Sequence, residues 1–310
     1  MVATQDAGRH MLHDMSTVPE GMDVFDRALH RRHRARAAAG FGAHDFLFQE
    51  VADRLADRLM DVDRTFARAL VVGGRGGLPS ALVGAGRRVE SMVTMDLAAA
   101  FAAPGPALVG DEEFLPIAEA SVDLVFSVLS LHWVNDLPGA LVQLRRALKP
   151  DGLLLVAILG GDTLFELRQS LMEAELELEN GVSPRVSPFA DIRDAGALLQ
   201  RAGFALPVTD SDTITVSYGN PFRLLQDLRG MGEQNVVHQR RHTFLRRETL
   251  MRTMALYREK FAGPDGRVPA TFQVIQMTGW TPDASQQQPQ RPGSAVARLA
   301  EALGDKETKI

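Results

Sequence analysis

The 310-residue sequence contains no cysteine. That excludes disulfides, thiolate zinc sites and cysteine-ligated iron–sulfur clusters, and with the last it excludes radical enzymes built around such a cluster. Net positive charge is also missing. At a formal charge of -5 the chain lacks the basic excess of a polyanion binder, which argues against a nucleic-acid partner. No apolar run approaches the length of a bilayer span, so no transmembrane segment is expected. The first 22 residues carry Asp6, Asp14 and Glu20 and lack an apolar core. Neither a secretory signal nor an acid-poor transit peptide is expected there, and the expected location is cytoplasmic. A metal site is not expected either. His238 and His242 have ligand spacing, but no Glu follows the first, and Arg240 and Arg241 lie between them. No compact pair of histidines with a carboxylate is visible elsewhere.

What is present is ordinary for a globular protein, with 45% hydrophobic and 24% charged residues, enough for one large domain with a sizeable insertion. Residues 1–22 read as a polar tail. Residues 23–62 read as two helices. The first is basic, with Arg27, His30, Arg31, Arg32, His33, Arg34 and Arg36, and is expected to show these charges to solvent. A docking surface for an acidic partner or anionic lipid, hence peripheral membrane association through 27–36, is the alternative. The second helix repeats Phe48, Val51, Leu55 and Leu59 at helical spacing.

From residue 63 the pattern changes. Short apolar strands are expected at Ala69–Val72, Glu90–Met95, Ala107–Gly110, Val122–Leu129 and Leu153–Leu159. Helices at Leu78–Gly86 and Asp136–Leu148 lie between them. Fully apolar strands alternating with helices predict an α/β fold around a mostly parallel, doubly wound sheet. Helices at Leu164–Glu179 and Asp191–Ala202, an edge strand at Val208–Val216 and a last strand at Thr271–Thr278 complete a domain expected over 63–280. A helical insertion at 222–262 is expected to cover the mouth of the site, and 281–310 reads as a tail.

The first strand ends in Gly73-Gly74-Arg75-Gly76-Gly77. Glycines at a strand-to-helix turn let a cofactor approach the backbone. Asp96 ends the second strand, where a carboxylate can accept from ribose hydroxyls. Asp111, followed by Glu112, ends the third, where it can accept from an adenine amino group, with Leu108 and Phe114 flanking the ring. Leu129 and Ser130 end the fourth strand beside His132 and Trp133, where ligands of open α/β sheets bind. These residues are the expected cofactor contacts. His132 is the candidate general base, with Glu113 behind it. Each acid alone could equally be a helix cap or turn residue, and His132 a core histidine.

Leu148-Lys149-Pro150-Asp151-Gly152 before a buried strand resembles the turn of class I methyltransferases. The runs 111–116, 130–138 and 160–168 are similar to one subfamily, the methyltransferase-like assembly factors of respiratory complex I. So are Phe25-Asp26-Arg27, Ser187-Pro188-Phe189, Gly230-Met231-Gly232-Glu233 and Val268-Pro269-Ala270-Thr271. The resemblance runs from about Met22 to Trp280. The methyltransferase of malonyl-carrier protein in biotin synthesis is a more distant relative. The resemblance implies a Rossmann-like seven-stranded fold, bound S-adenosylmethionine and a protein substrate. For the mitochondrial member it implies hydroxylation of an arginine in the quinone-site subunit of complex I instead of methylation. The expected function is therefore an S-adenosylmethionine-dependent enzyme of complex I assembly. A non-catalytic assembly chaperone and a malonyl-carrier-protein O-methyltransferase are the alternatives. One departure stands out. Where the family's first motif has an acid before Gly-x-Gly-x-Gly, this sequence has Val71 or Val72, and Arg75 replaces the central glycine. Arg75 could bond the cofactor's carboxylate or fill its space.

Overall fold

In the computed structural model, which describes residues 23–75, 88–101, 105–189 and 192–287, the chain opens with two helices, α1 (Arg27–Ala37) and α2 (Phe46–Met60), joined by a short 3-10 turn. The strands β1 (Phe66–Val72), β2 (Val89–Asp96), β3 (Ala107–Val109) and β4 (Val122–Val128) follow. Then come α3 (Leu137–Ala147), β5 (Leu148–Leu159), α4 (Phe165–Glu179), α5 (Ile192–Arg201) and β6 (Ala205–Tyr218). Finally α6 (Pro221–Met231) and α7 (Arg247–Phe261) lead into β7 (Val268–Trp280). The expected helix at 78–86 and the tails at 1–22 and 288–310 fall outside the described residues.

The strands form one seven-stranded sheet in the order β3-β2-β1-β4-β5-β7-β6. All pairs are parallel up to β5; β7 then inserts antiparallel to both β5 and β6. The strand order reverses between β1 and β4, and it is outside the carboxyl ends at such a reversal that open sheets bind ligands. Side chains alternate across the central strands. Leu124, Phe126, Leu153 and Leu155 pack on one face with Phe48, Val51, Leu55 and Leu59 of α2, and with α4 and α7. Val125, Leu154 and Val156 pack on the other with Leu141 and Leu144 of α3 and Leu199 of α5. Both faces being covered explains why these strands read as unbroken apolar runs.

The boundaries moved where the chemistry is local. Asp136 is the N-cap of α3 and accepts from Gly139 N at 2.8 Å, with Pro138 in the first turn. The edge strand β6 is longer than its alternating core suggested, because it pairs with β7 along most of its length. The segment 222–262 is two helices, α6 and α7, separated by an irregular connection.

The largest difference concerns α1. It does not show its charges to solvent throughout: His30 and Arg34 are fully buried, while Arg31, Arg32 and Arg36 are exposed. Arg27, His30 and Arg34 fall on one side of a helix at spacings of three and four. That side faces the carboxyl ends of the sheet.

Candidate active site

The turn after β1 is tied to β2, Gly73 N donating to Met95 O at 2.8 Å and Gly74 N to the same oxygen at 3.3 Å. Gly73 has φ +73, and a Cβ there would lie 2.6 Å from Ser130 Cβ. Only glycine lets the β1 and β4 turns touch in this way. Gly76 and Gly77 lie outside the described residues.

The predicted cofactor-facing acids are brought together, and arginines of α1 meet each of them. Asp96, 1% exposed, accepts from Ala98 N at 2.8 Å and from Nη2 of the fully buried Arg34. Arg34 Nη1 donates to Ser130 Oγ at 3.1 Å, and that hydroxyl donates to Glu112 Oε1 at 2.6 Å. Arg27 donates to Asp111 Oδ1 at 2.6 Å, to Glu112, and to Trp133 O at 3.1 Å. Burial by itself would raise the Glu112 carboxyl, but the Arg27 and Arg34 charges outweigh it and hold it below the usual carboxylate range. Phe114 is 66% exposed and bridges back to Asp111; Leu108 is half-buried.

Arg75 is fully buried, with φ +29. Its guanidinium does not point at Gly73. Nη1 donates to Met231 O at 2.7 Å and Nη2 to Leu129 O at 3.3 Å and to Glu233 Oε1, while the group lies over the Phe48 ring at 4.1 Å. Burial and the neighbouring Arg34 push this guanidinium down to about 10 in spite of Glu233. The second oxygen of Glu233 receives Trp133 Nε1 at 2.5 Å and faces His132 Nε2 at 3.2 Å. Burial opposes ionisation of Glu233, yet Arg75 and His132 hold its pKa far below the carboxylate norm. Burial also lowers the pKa of His132, so the ring is neutral near pH 7. An ionised Glu233 accepts only, so Nε2 carries the proton and the buried Nδ1, which has no partner, holds the lone pair. Glu113 lies apart from this group. Its carboxylate accepts from Asn135 N and its carbonyl from Gln143 Nε2 at 2.7 Å.

Beyond the ends of β4 and β5 opens a cavity of about 500 Å³, in the range of small-ligand sites. Leu129, Leu159, Leu164, Leu167 and Phe272 are among its apolar walls, and Glu233 is the only carboxylate lining it among the described residues. Leu129 and Leu164 both have positive φ, at +46 and +54, and such strained non-glycine positions gather at functional sites.

The structure brings Asp96, Asp111 and Ser130 of the expected site together with His132 near the carboxyl ends of the sheet, and adds Arg27, Arg34 and Glu233, which the sequence did not point to as site residues. The signal for the arginines was the 27-30-34 spacing on α1. For Glu233 there was only the Gly230-Met231-Gly232-Glu233 run, which says nothing local about burial.

A family model described as a methyltransferase domain matches residues 70–156. A Danio rerio protein named "Arginine-hydroxylase NDUFAF5, mitochondrial" is 42% identical over 91% of this chain and 90% of its own length. The chain belongs to the class I methyltransferase family. Within it, the chain groups with these arginine-hydroxylases. The "Malonyl-[acyl-carrier protein] O-methyltransferase" of Xylella fastidiosa is 33% identical over 84% of the chain and 89% of that protein. The crystal structure of YcgJ from Bacillus subtilis superposes with a TM-score of 0.51 at 13% identity, over 74% of this chain and 99% of that one, and shows the shared fold. The family works with S-adenosylmethionine, and the donor set here fits it in kind. Asp96 and Asp111 suit hydroxyl and amino groups, the Gly73 turn leaves no room for a side chain, and the buried Nε atoms of Arg27 and Arg34 and Oγ of Ser127 have no partners. An acid for the cofactor's ammonium is missing from the end of β1. No helix among the described residues is long and apolar enough to cross a membrane.

Proposed function

We propose that the chain is an S-adenosylmethionine-dependent enzyme that modifies an arginine of a protein substrate during assembly of respiratory complex I. The observation that carries this is the lone carboxylate of the cavity. Glu233 lines a largely apolar chamber next to the turn that ends β4, the other charged groups of the lining being Arg185, which is paired with Glu175, and Arg229. A cationic side chain entering there meets one fixed acceptor, and meets it beside the cofactor-facing rim. When bound, S-adenosylmethionine would supply an electrophilic sulfonium, which accounts for methyl transfer; addition of oxygen would in addition require an oxidant such as molecular oxygen with a reductant. The chain's own residues do the rest. Gly73, Gly74, Asp96, Asp111, Glu112, Leu129 and Ser130 form the cofactor's cradle, while the apolar walls exclude water and align the reactants.

His132 is the general base, taking a proton at its free Nδ1. Glu113, whose carboxylate accepts from Asn135 N, is assigned a positioning role for the His132–Asn135 turn. Arg75 is engaged with Glu233 and not with the cofactor's carboxylate. A cytoplasmic location is part of this reading, although the named relatives of the arginine-hydroxylase group are mitochondrial. Peripheral association through α1 would rest on Arg31, Arg32 and Arg36, the cations that remain exposed.

Mass spectrometry of the complex I quinone-site subunit from wild-type and deletion strains tests the reading. An arginine carrying an added oxygen, or an added methyl group, only when the chain is present supports it. An unmodified subunit in both strains sinks it. A second reading, a non-catalytic assembly chaperone, is favoured by the absence of an acid at Val71 and Val72. Calorimetric titration separates the two, because no heat at millimolar S-adenosylmethionine would remove the enzyme. The third, a malonyl-carrier methyltransferase, predicts biotin auxotrophy of the deletion strain with the subunit unchanged.

A further inference from the structure

We propose that the seat now holding the Arg75 guanidinium is the receptor for the guanidinium of the target arginine, with Arg75 as its internal placeholder. The inference rests on the reading of arginine as the substrate and assigns the residues that recognise it. A guanidinium is a planar fork of donors with two faces that stack on aromatic rings. The seat matches both properties. Glu233 supplies a carboxylate, Met231 and Leu129 supply carbonyl oxygens at 2.7 and 3.3 Å, and Phe48 and Phe41 present ring faces at 4.1 and 5.8 Å. An ammonium would reach the carboxylate but could not span the two carbonyls in one plane.

The seat is also reachable. Phe48, Leu129, Met231 and Glu233 surround Arg75 and line the cavity as well, so the seat adjoins the cavity and a guanidinium arriving there can take over the acceptors as Arg75 leaves them. Trp133 and His132 fix the free oxygen of Glu233 and thereby its plane. Arg75 itself is held at a disadvantage. It has a positive φ, its buried Nε has no partner, and Gly73, Gly74, Gly76 and Gly77 flank it in sequence. Strain at such a position persists only while its surroundings enforce it. Exchange of one guanidinium for another keeps the seat's bonds and releases that strain. The placeholder also spares Glu233 from being buried without a partner between turnovers.

The test is calorimetric titration of the full chain with N-acetyl-arginine methylamide and with its citrulline and lysine counterparts. Wild type, Arg75→Ala, Arg75→Lys and Arg75→Ala/Glu233→Gln are compared, each checked by thermal melting. Arg75→Ala removes the competitor and should bind the arginine compound at least tenfold more tightly than wild type. The gain should vanish in Arg75→Ala/Glu233→Gln and be absent for citrulline and lysine. Arg75→Lys, which keeps a charge beside Glu233, serves if the alanine variant does not fold, and its gain should be smaller and equally selective. In wild type, the KM for a target peptide should exceed that of either variant. No gain in the variants, a gain that survives Glu233→Gln, or an equal gain for lysine overturns the seat. The two failures are distinct: an unmodified target with wild type defeats the proposed function, whereas a modified target without the affinity gain defeats only the seat.

Discussion

The two sides of the β4 turn are built on opposite principles. On the cradle side, three carboxylates from two strand ends meet arginines from one helix: Asp96 with Arg34, Asp111 and Glu112 with Arg27. On the cavity side, leucines and phenylalanines form most of the wall, with a single acid, Glu233, and two arginines, Arg185 and Arg229, in the lining. The difference teaches how one sheet edge can present polar and apolar demands within a few residues. Leu129 faces the cavity, Ser130 faces the acids, and the positive φ at Leu129 is where the chain turns from one to the other. Charge specificity is thus supplied from outside the sheet, by α1, and shape specificity by the helices that follow β5.

Arg34→Ala should have the largest effect, because Asp96 would be left buried without its partner. A loss of roughly 3–5 kcal/mol is expected in chemical denaturation. Adding Asp96→Asn should return a substantial part of it. Independent effects of the two substitutions would break the picture of a paired cradle. On the other side, Leu167→Ala in the cavity wall should cost about 2–3 kcal/mol, at the low end for such truncations because the space beside it is already open. No charge substitution should rescue it. The smallest effect expected is on pH dependence. Burial lowers the pKa of His30 and His132, so below about pH 6.5 the unfolded chain takes up protons that the folded chain refuses. Stability should therefore fall as pH drops from 6.5 toward their folded values. A second fall follows below about pH 4.3, as the unfolded counterparts of Glu112 and Glu233 protonate first. Thermal melting from about pH 8 to about pH 2 checks both steps. Burial and the neighbouring arginines lower His33 as well, so replacing His30, His33 and His132 by Asn should erase only the upper step, and an upper step that survives would move the proton uptake elsewhere.

Much of the fold was legible because the strands are buried on both faces and glycine and Asp96 punctuate the strand ends, although the turn expected at 149–152 is an irregular stretch within β5. The acids of the cradle were legible because a carboxylate at a strand end marks a ligand-facing position in this topology. Their partners were not. The burial of Arg34 is decided by Asp96, 62 positions away, and local sequence shows only a run of cations that resembles a solvated helix. Glu233 is hidden for a similar reason, since its partners Arg75, His132 and Trp133 come from two distant turns. Arg75 was recognised as the departure from the family's glycine pattern, but which way its guanidinium points depends on carbonyls contributed by β4 and α6.

The supply of cations by α1 has an evolutionary consequence. The acids belong to strand ends that the sheet needs for its own geometry, whereas Arg27 and Arg34 sit on a helix that contributes no strand. Drift at those two positions could turn a nearly neutral cleft into an acidic one, drawing cationic ligands inward, without disturbing a single strand register. Selectivity for charge and strand register are therefore set by different elements, and a change at Arg34 calls for a matching change at Asp96, so that the two positions would diverge as a pair.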